Sequence, residues 1–237
     1  ISSAASDVYK RQVLSTTSSV AGDRRIYFQS YVDYMNKFGN HNVSGMLLWN
    51  IDQYDNNAPG NLVASLPRRK MGFAGRLSYD YDNRYMFEVN AGYNGSENFA
   101  KGHKWGFFPS VAVGWNVSQE NFFEPLKDVI SNLKLRASYG LVGNDQLLDS
   151  SGGLIRFIYM SDITLQSENA GFTTGDKQQI TLNGPVYTRY QNNDLTWEVG
   201  EKLNVGFDMQ LFNSLNVTVD AFREIRRDIF QQRYSIP

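Results

Sequence analysis

His41 and His103 are the only imidazoles in a chain of 237 residues that has no cysteine. His41 falls in a predicted tight turn and His103 in a loop beside Lys101 and Lys104, and no pattern sets a serine or a carboxylate next to either ring. Nucleophilic catalysis needs such a base within hydrogen-bond reach, so no catalytic residue is assigned and the chain is not expected to be an enzyme. The missing thiols exclude disulfides, thiolate metal sites and a cysteine nucleophile. Asp80 and Asp82 have the spacing that opens a calcium loop, but the glycine and the later glutamate of a calcium hand are absent. Asp and Asn tolerate turn backbone, which is the role expected of them here. Gly140, Gly143 and Asn144 are not followed by the Gly-Lys-Ser/Thr of a phosphate cradle and are expected to form a strand running into a loop. Neither a metal nor a cofactor is expected.

The richest set of candidate binding groups lies between Asn144 and Gly200. This stretch is long, polar and irregular, and it carries Asp145, Asp149, Asp162, Glu168, Asp176, Tyr187, Tyr190 and Trp197. Long connections in compact proteins are usually functional or disordered. Aromatic faces beside carboxylates suit sugar rings, which present apolar faces and many hydroxyls. Tyr187, Tyr190, Trp197, Asp162 and Asp176 are the ligand-binding candidates. The same composition also suits a lid, or a surface that meets a partner protein without touching ligand.

The elements that hold these residues are strands. Alternation with a period of two runs through segments of about ten residues, the signature of a strand with two unlike faces. In Arg84 to Tyr93, Tyr85, Phe87, Val89, Ala91 and Tyr93 share one face, and Arg84, Glu88, Asn90 and Gly92 share the other. Met71 to Tyr81 repeats the pattern, separated from its neighbour by a tight turn. Phe107 to Val117, Leu133 to Leu141, Leu203 to Leu211 and Leu215 to Ala221 continue it, and Arg24 to Lys37 and Asn42 to Tyr54 form a weaker pair around Phe38 to His41. Eight strands are predicted. Connections alternate between tight turns and longer loops, with 118–132 long enough for a short helix at the turn rim.

Alternation alone fits both a membrane barrel and a soluble sandwich. Strands of about 9 to 12 residues match a tilted membrane span, and aromatics gather at strand ends as in interfacial girdles. Polar residues occupy mid-strand on the second face, which suits a wet lumen: Arg76, Glu88, Asn90, Lys134, Arg136, Asn204 and Asp208. Charges facing a barrel interior need partners, so this row is expected to pair internally or with a plug. The fold class expected is all-β, an antiparallel up-and-down transmembrane β-barrel, about eight strands of an incomplete one. No apolar run approaches the roughly 20 residues of a spanning helix. With 23 Lys+Arg against 24 Asp+Glu there is no basic excess, so nucleic acid is not an expected partner.

Asp7 to Gln12 resembles the in-frame translation of a transposase adapter used in sequencing libraries. Residues 1–12 are therefore expected not to be native, with native sequence starting near Val13. Both ends of the chain read as cuts.

The motifs Gly75 to Tyr85, Gly92 to Phe99, Gly106 to Trp115, Leu133 to Asn144, Asp194 to Glu198 and Arg226 to Phe230, in that order, resemble the barrel region of SusC/RagA-type TonB-dependent transporters. The resemblance covers roughly residues 24 to 237. It implies a plugged barrel of about 22 strands in the outer membrane of a Gram-negative bacterium, with 13–237 forming part of its wall, an extracellular loop near 143–200, and the plug domain outside these residues. It further implies a SusD-type surface lipoprotein, the TonB complex acting through the plug, and an oligosaccharide or peptide as cargo. A passive porin, a barrel enzyme of the same membrane and a soluble carbohydrate-binding β-sandwich remain the alternatives.

Overall fold

The computed structural model describes residues 22–57, 62–148, 153–176 and 180–231. Expectations on residues 1–12, and on Asp149, lie outside the described residues. Eight long strands form one antiparallel sheet. They are β1 (Asp23–Phe38), β2 (His41–Asn56), β3 (Arg68–Tyr81), β4 (Tyr85–Ser96), β5 (Trp105–Asn116), β6 (Ile130–Asn144), and, after an excursion, β11 (Glu198–Leu211) and β12 (Leu215–Arg227). Their spatial order is β1-β2-β3-β4-β5-β6-β11-β12, so each strand pairs with the next in the wall and the sheet is not closed within the chain. The predicted eight strands are all present, and each is longer than the alternation alone delimits.

The turns explain the regular register. Asp82 and Asn83 both have positive φ, 52° and 54°, as do Phe212 and Asn213 at 50° and 55°. Two successive left-handed residues make the turn twist that matches paired strands, and Asp and Asn reach it most cheaply among residues with a side chain. Asp80 assists by accepting the Asn83 amide on its carboxylate at 3.2 Å. Neighbouring turns are also tied together, Asp82 N–H to the Asn40 carbonyl at 2.8 Å and Phe212 N–H to that of Val129 at 2.9 Å. Between β5 and β6 the expected short helix is two 3-10 helices, Val117–Gln119 and Asn121–Leu126.

The two faces differ in kind. On one, a band of Val32, Leu47, Leu77, Val113 and Val205 lies open to the surroundings. Aromatic rings border it on both sides. Trp49, Phe73, Trp105 and Tyr93 form a stacked row toward the loop rim, and His41, Tyr81 and Tyr85 form another toward the turn rim. From Tyr85 to Tyr93, β4 runs about 26 Å along its length at roughly 3.3 Å per residue, and a tilt of about 40° makes that a height of about 20 Å, most of an apolar band of about 25 Å. The other face carries the polar row.

A wall one sheet thick has no interior, so the buried apolar cluster sits elsewhere. Phe99, Leu147, Ile158 and Trp197 pack together at the loop rim against Phe108, Ile155, Leu195 and Phe230. Each such side chain contributes about 2 kcal/mol on burial.

Candidate functional site

The excursion between β6 and β11 differs from the irregular loop expected. It contains a short pair, β7 (Leu147–Leu148) with β8 (Leu154–Ile155), and an antiparallel hairpin of β9 (Asp162–Thr174) with β10 (Ile180–Arg189). The hairpin is bulged, with register shifts between Leu182 and Arg189. Such shifts bend the ribbon and increase its twist.

Tyr187 lies on β10 opposite Ile163, and Tyr190 follows that strand. Their rings stack at 5.3 Å between centroids and 13° between planes, and both are largely exposed, Tyr190 at 73%. Asp162 pairs with Arg189 in register, and its carbonyl accepts the Thr188 hydroxyl at 3.1 Å. Asp176 is exposed at the far end of β9, next to Gly175 with φ 99°. It is therefore remote in register from the tyrosine pair. Of Glu168 the side chain lies outside the described residues.

Trp197 stands apart from the other candidates. It was expected among the loop aromatics, but it is 7% exposed. Phe99 packs against its ring at 5.4 Å and Phe108 meets it edge-on at 5.3 Å, while its indole N–H donates to the Lys104 carbonyl at 3.2 Å. Its faces and its donor are all occupied, which makes it a support for the loops and not a ligand surface. Phe108 itself fits over Gly143: a Cβ there would lie 1.9 Å from the Phe108 ring. Gly143 is thus a close-packing position, which its place in the sequence did not reveal.

Asp145 was one of many loop acids in the sequence, yet the structure buries it. Its carboxylate takes Lys70 Nζ at 2.7 Å and the Ser96 hydroxyl at 2.7 Å, and its carbonyl takes Asn98 Nδ2 at 3.0 Å. A buried carboxylate persists only when its lone pairs are satisfied in this way. Three strand ends meet on this one side chain.

On the polar face, Arg76 donates to Asn90 at 2.9 Å, Asn90 donates to Glu88 at 2.7 Å, and Ser78 donates to Glu88 at 3.1 Å. Arg136 bridges Asp220 at 2.8 Å and Asp208 at 3.3 Å, and Thr218 also donates to Asp208. Lys134 stands opposite Asp208, and Asn204 opposite Ser138. Asp220 and Thr218 were not in the predicted row, because β12 reads as apolar at Leu215, Val217 and Val219.

Neither histidine sits in a chemical cluster. His41 Nδ1 is 2.8 Å from the Tyr79 hydroxyl, and the His103 amide closes a turn on Ala100. Among the described residues no three His, Cys, Asp or Glu side chains are grouped to hold a metal.

Residues 3–237 match the family model described as TonB dependent receptor-like, beta-barrel. The chain belongs to this family. TonB-dependent receptor P3 of Formosa agariphila is 29% identical over 230 residues, covering 86% of this chain and 22% of that protein. TonB-dependent receptor SusC of Bacteroides thetaiotaomicron is 33% identical over 143 residues, covering 60% of this chain and 13% of that protein. The solved structure of the RagAB peptide transporter superposes with a TM-score of 0.67 over 87% of this chain and 24% of that one, at 18% identity. The chain thus spans less than a quarter of these relatives. Barrels of the TonB-dependent receptor family lie in the outer membrane of Gram-negative bacteria. The apolar band and its two aromatic rows are accordingly the lipid-facing surface, and the rim of tight turns is the periplasmic one.

Proposed function

We propose that this chain is a stretch of the wall of an outer-membrane transporter that imports oligosaccharides, or alternatively peptides, with energy delivered through TonB. One observation carries the reading beyond family membership. A polar face with ion pairs and amide hydrogen bonds of its own on β3, β4, β6, β11 and β12 runs behind the lipid band, as a water-filled or plugged lumen requires. Arg76, Glu88, Asn90, Lys134, Arg136, Asn204 and Asp208 are its lumen residues. On the extracellular side, the exposed Tyr187–Tyr190 pair, with Asp162 nearby and Asp176 at the hairpin's other end, is the ligand-facing part of the excursion. The same side is where a SusD-type lipoprotein docks in this scheme, and the TonB complex acts through a plug that these residues do not include. No catalysis is assigned.

The test is uptake of fluorescent oligosaccharides and peptides by cells carrying the full-length protein, with and without TonB. Energised, TonB-dependent uptake of one cargo class is expected, and Tyr187→Ala with Tyr190→Ala lowers its affinity about tenfold, a loss of about 1.4 kcal/mol. Uptake that persists without TonB identifies a passive porin instead.

A further inference from the structure

The connection between β5 and β6 carries a feature that transport does not use. In the 3-10 helix Asn121–Leu126, Phe123 is buried, whereas Phe122 and Leu126 are 66% and 50% exposed. Val129, three residues on, is also exposed, and its carbonyl accepts the amide of Phe212, itself exposed at a left-handed turn position. Scattered exposed apolar residues are ordinary. Four from two adjoining connections of one rim make a patch.

Which side of the wall this patch serves follows from the residues just before it. The Ser118 hydroxyl lies 2.7 Å from the side-chain oxygens of both Asn116 and Asn132, on the polar side, and donates to one of them. Two residues later, Glu120 accepts the Tyr85 hydroxyl at 2.6 Å and the Trp115 indole N–H at 3.2 Å. Tyr85 belongs to the aromatic row of the lipid face, and Trp115 is its register partner on β5. The chain therefore runs from the polar side at Ser118 to the tips of the lipid-side rings at Glu120, where Arg84 also reaches the carboxylate at 3.9 Å, and the patch follows directly.

We propose that residues 120–129, with Phe212, form a membrane-interface foot. Phe122 and Leu126 insert into the phospholipid leaflet that faces the periplasm, while Glu120 holds the foot to the wall through the polar tips of Tyr85 and Trp115. Aromatic residues favour this depth because an apolar body and a polar handle both find their medium there. Lys127, paired with Glu124 at 2.7 Å, keeps its charge at the water boundary. The foot fixes the depth at which the barrel sits, independently of what passes through it.

The chain has no cysteine, and with any cysteine elsewhere in the full-length protein replaced by serine, single cysteines can carry a nitroxide label. In the full-length protein, reconstituted in phosphatidylethanolamine and phosphatidylglycerol vesicles, Phe122→Cys and Leu126→Cys are compared with Leu77→Cys in the band and Gln191→Cys in the exposed loop. Relaxation by oxygen relative to a water-soluble nickel complex is expected to shift toward the Leu77→Cys value for both foot labels. A ratio matching Gln191→Cys, or labels shielded from both reagents, overturns the proposal. Uptake measurements are unaffected by either result, so the foot and the transport reading fail separately.

Discussion

Lys70 Nζ lies 2.7 Å from the carboxylate of Asp145, joining β3 to the first residue beyond β6 across 75 positions of sequence. With Ser96 and Asn98 on the same acid, the pair locks the start of the long excursion to the wall.

Replacing Asp145 with Asn leaves Lys70 without its counter-charge in a largely buried site. Hydrogen bonds to charged groups contribute about 1.5–3 kcal/mol, and Lys70 is a third exposed, so a loss of about 2 kcal/mol is expected. It appears as faster proteolysis within 145–197 while the barrel's own unfolding is unchanged. The Lys70→Met, Asp145→Asn double variant recovers part of the loss, because no charge is then stranded. Unchanged cleavage in the single variant contradicts the lock.

Leu77 and Ser78 are neighbours on opposite faces of β3. Arginine at Leu77 enters the middle of the apolar band, where the cost is about 2–4 kcal/mol. Arginine at Ser78 meets Glu88 instead. Folded protein recovered from outer membranes, read by its heat-sensitive gel mobility, should fall for Leu77→Arg and hold for Ser78→Arg. Equal recovery of the two argues against a lipid-facing band.

Glu120 is held below the usual carboxylate range, first by the Tyr85 hydroxyl and then by the Trp115 indole. A folded pKa below the unfolded one means that its contribution is fully present above about pH 4.3, the unfolded value. It is lost as pH falls through the depressed folded value. Hydrogen-exchange protection of 117–129, corrected for intrinsic rates, should therefore decline in acid, and Glu120→Gln should lack that pH dependence. Equal acid response in both proteins points to another group.

The eight wall strands were legible because a lipid face and a wet face impose opposite residue classes at every second position. Where that contrast ends, so does the signal. β12 continues from Phe222 to Arg227 through charged residues that pair with Glu198 and Glu201 on β11, and alternation of hydrophobicity does not mark it. The β9–β10 hairpin was hidden for a related reason: the neighbours Thr173 and Thr174 lie on opposite sides of β9, and most of its described residues are exposed on both sides. Trp197 was misplaced because its burial depends on Phe99, Leu147, Ile158 and Phe108, which come from four separate stretches. Tyr187 and Tyr190 resembled it in sequence and differ from it only in having no such surroundings.

The direct pairing of β6 with β11 has one more consequence. Their register runs from Asn144↔Glu198 to Leu211↔Ile130, so the wall closes behind the excursion and takes no part of its width from it. The entropy of closing a longer loop grows only slowly with length. The β9–β10 hairpin, which lies outside both the wall's register and the Phe99–Trp197 cluster, is thus an interchangeable cartridge. New hairpins can be tried there while circumference, register and membrane fit are inherited unaltered.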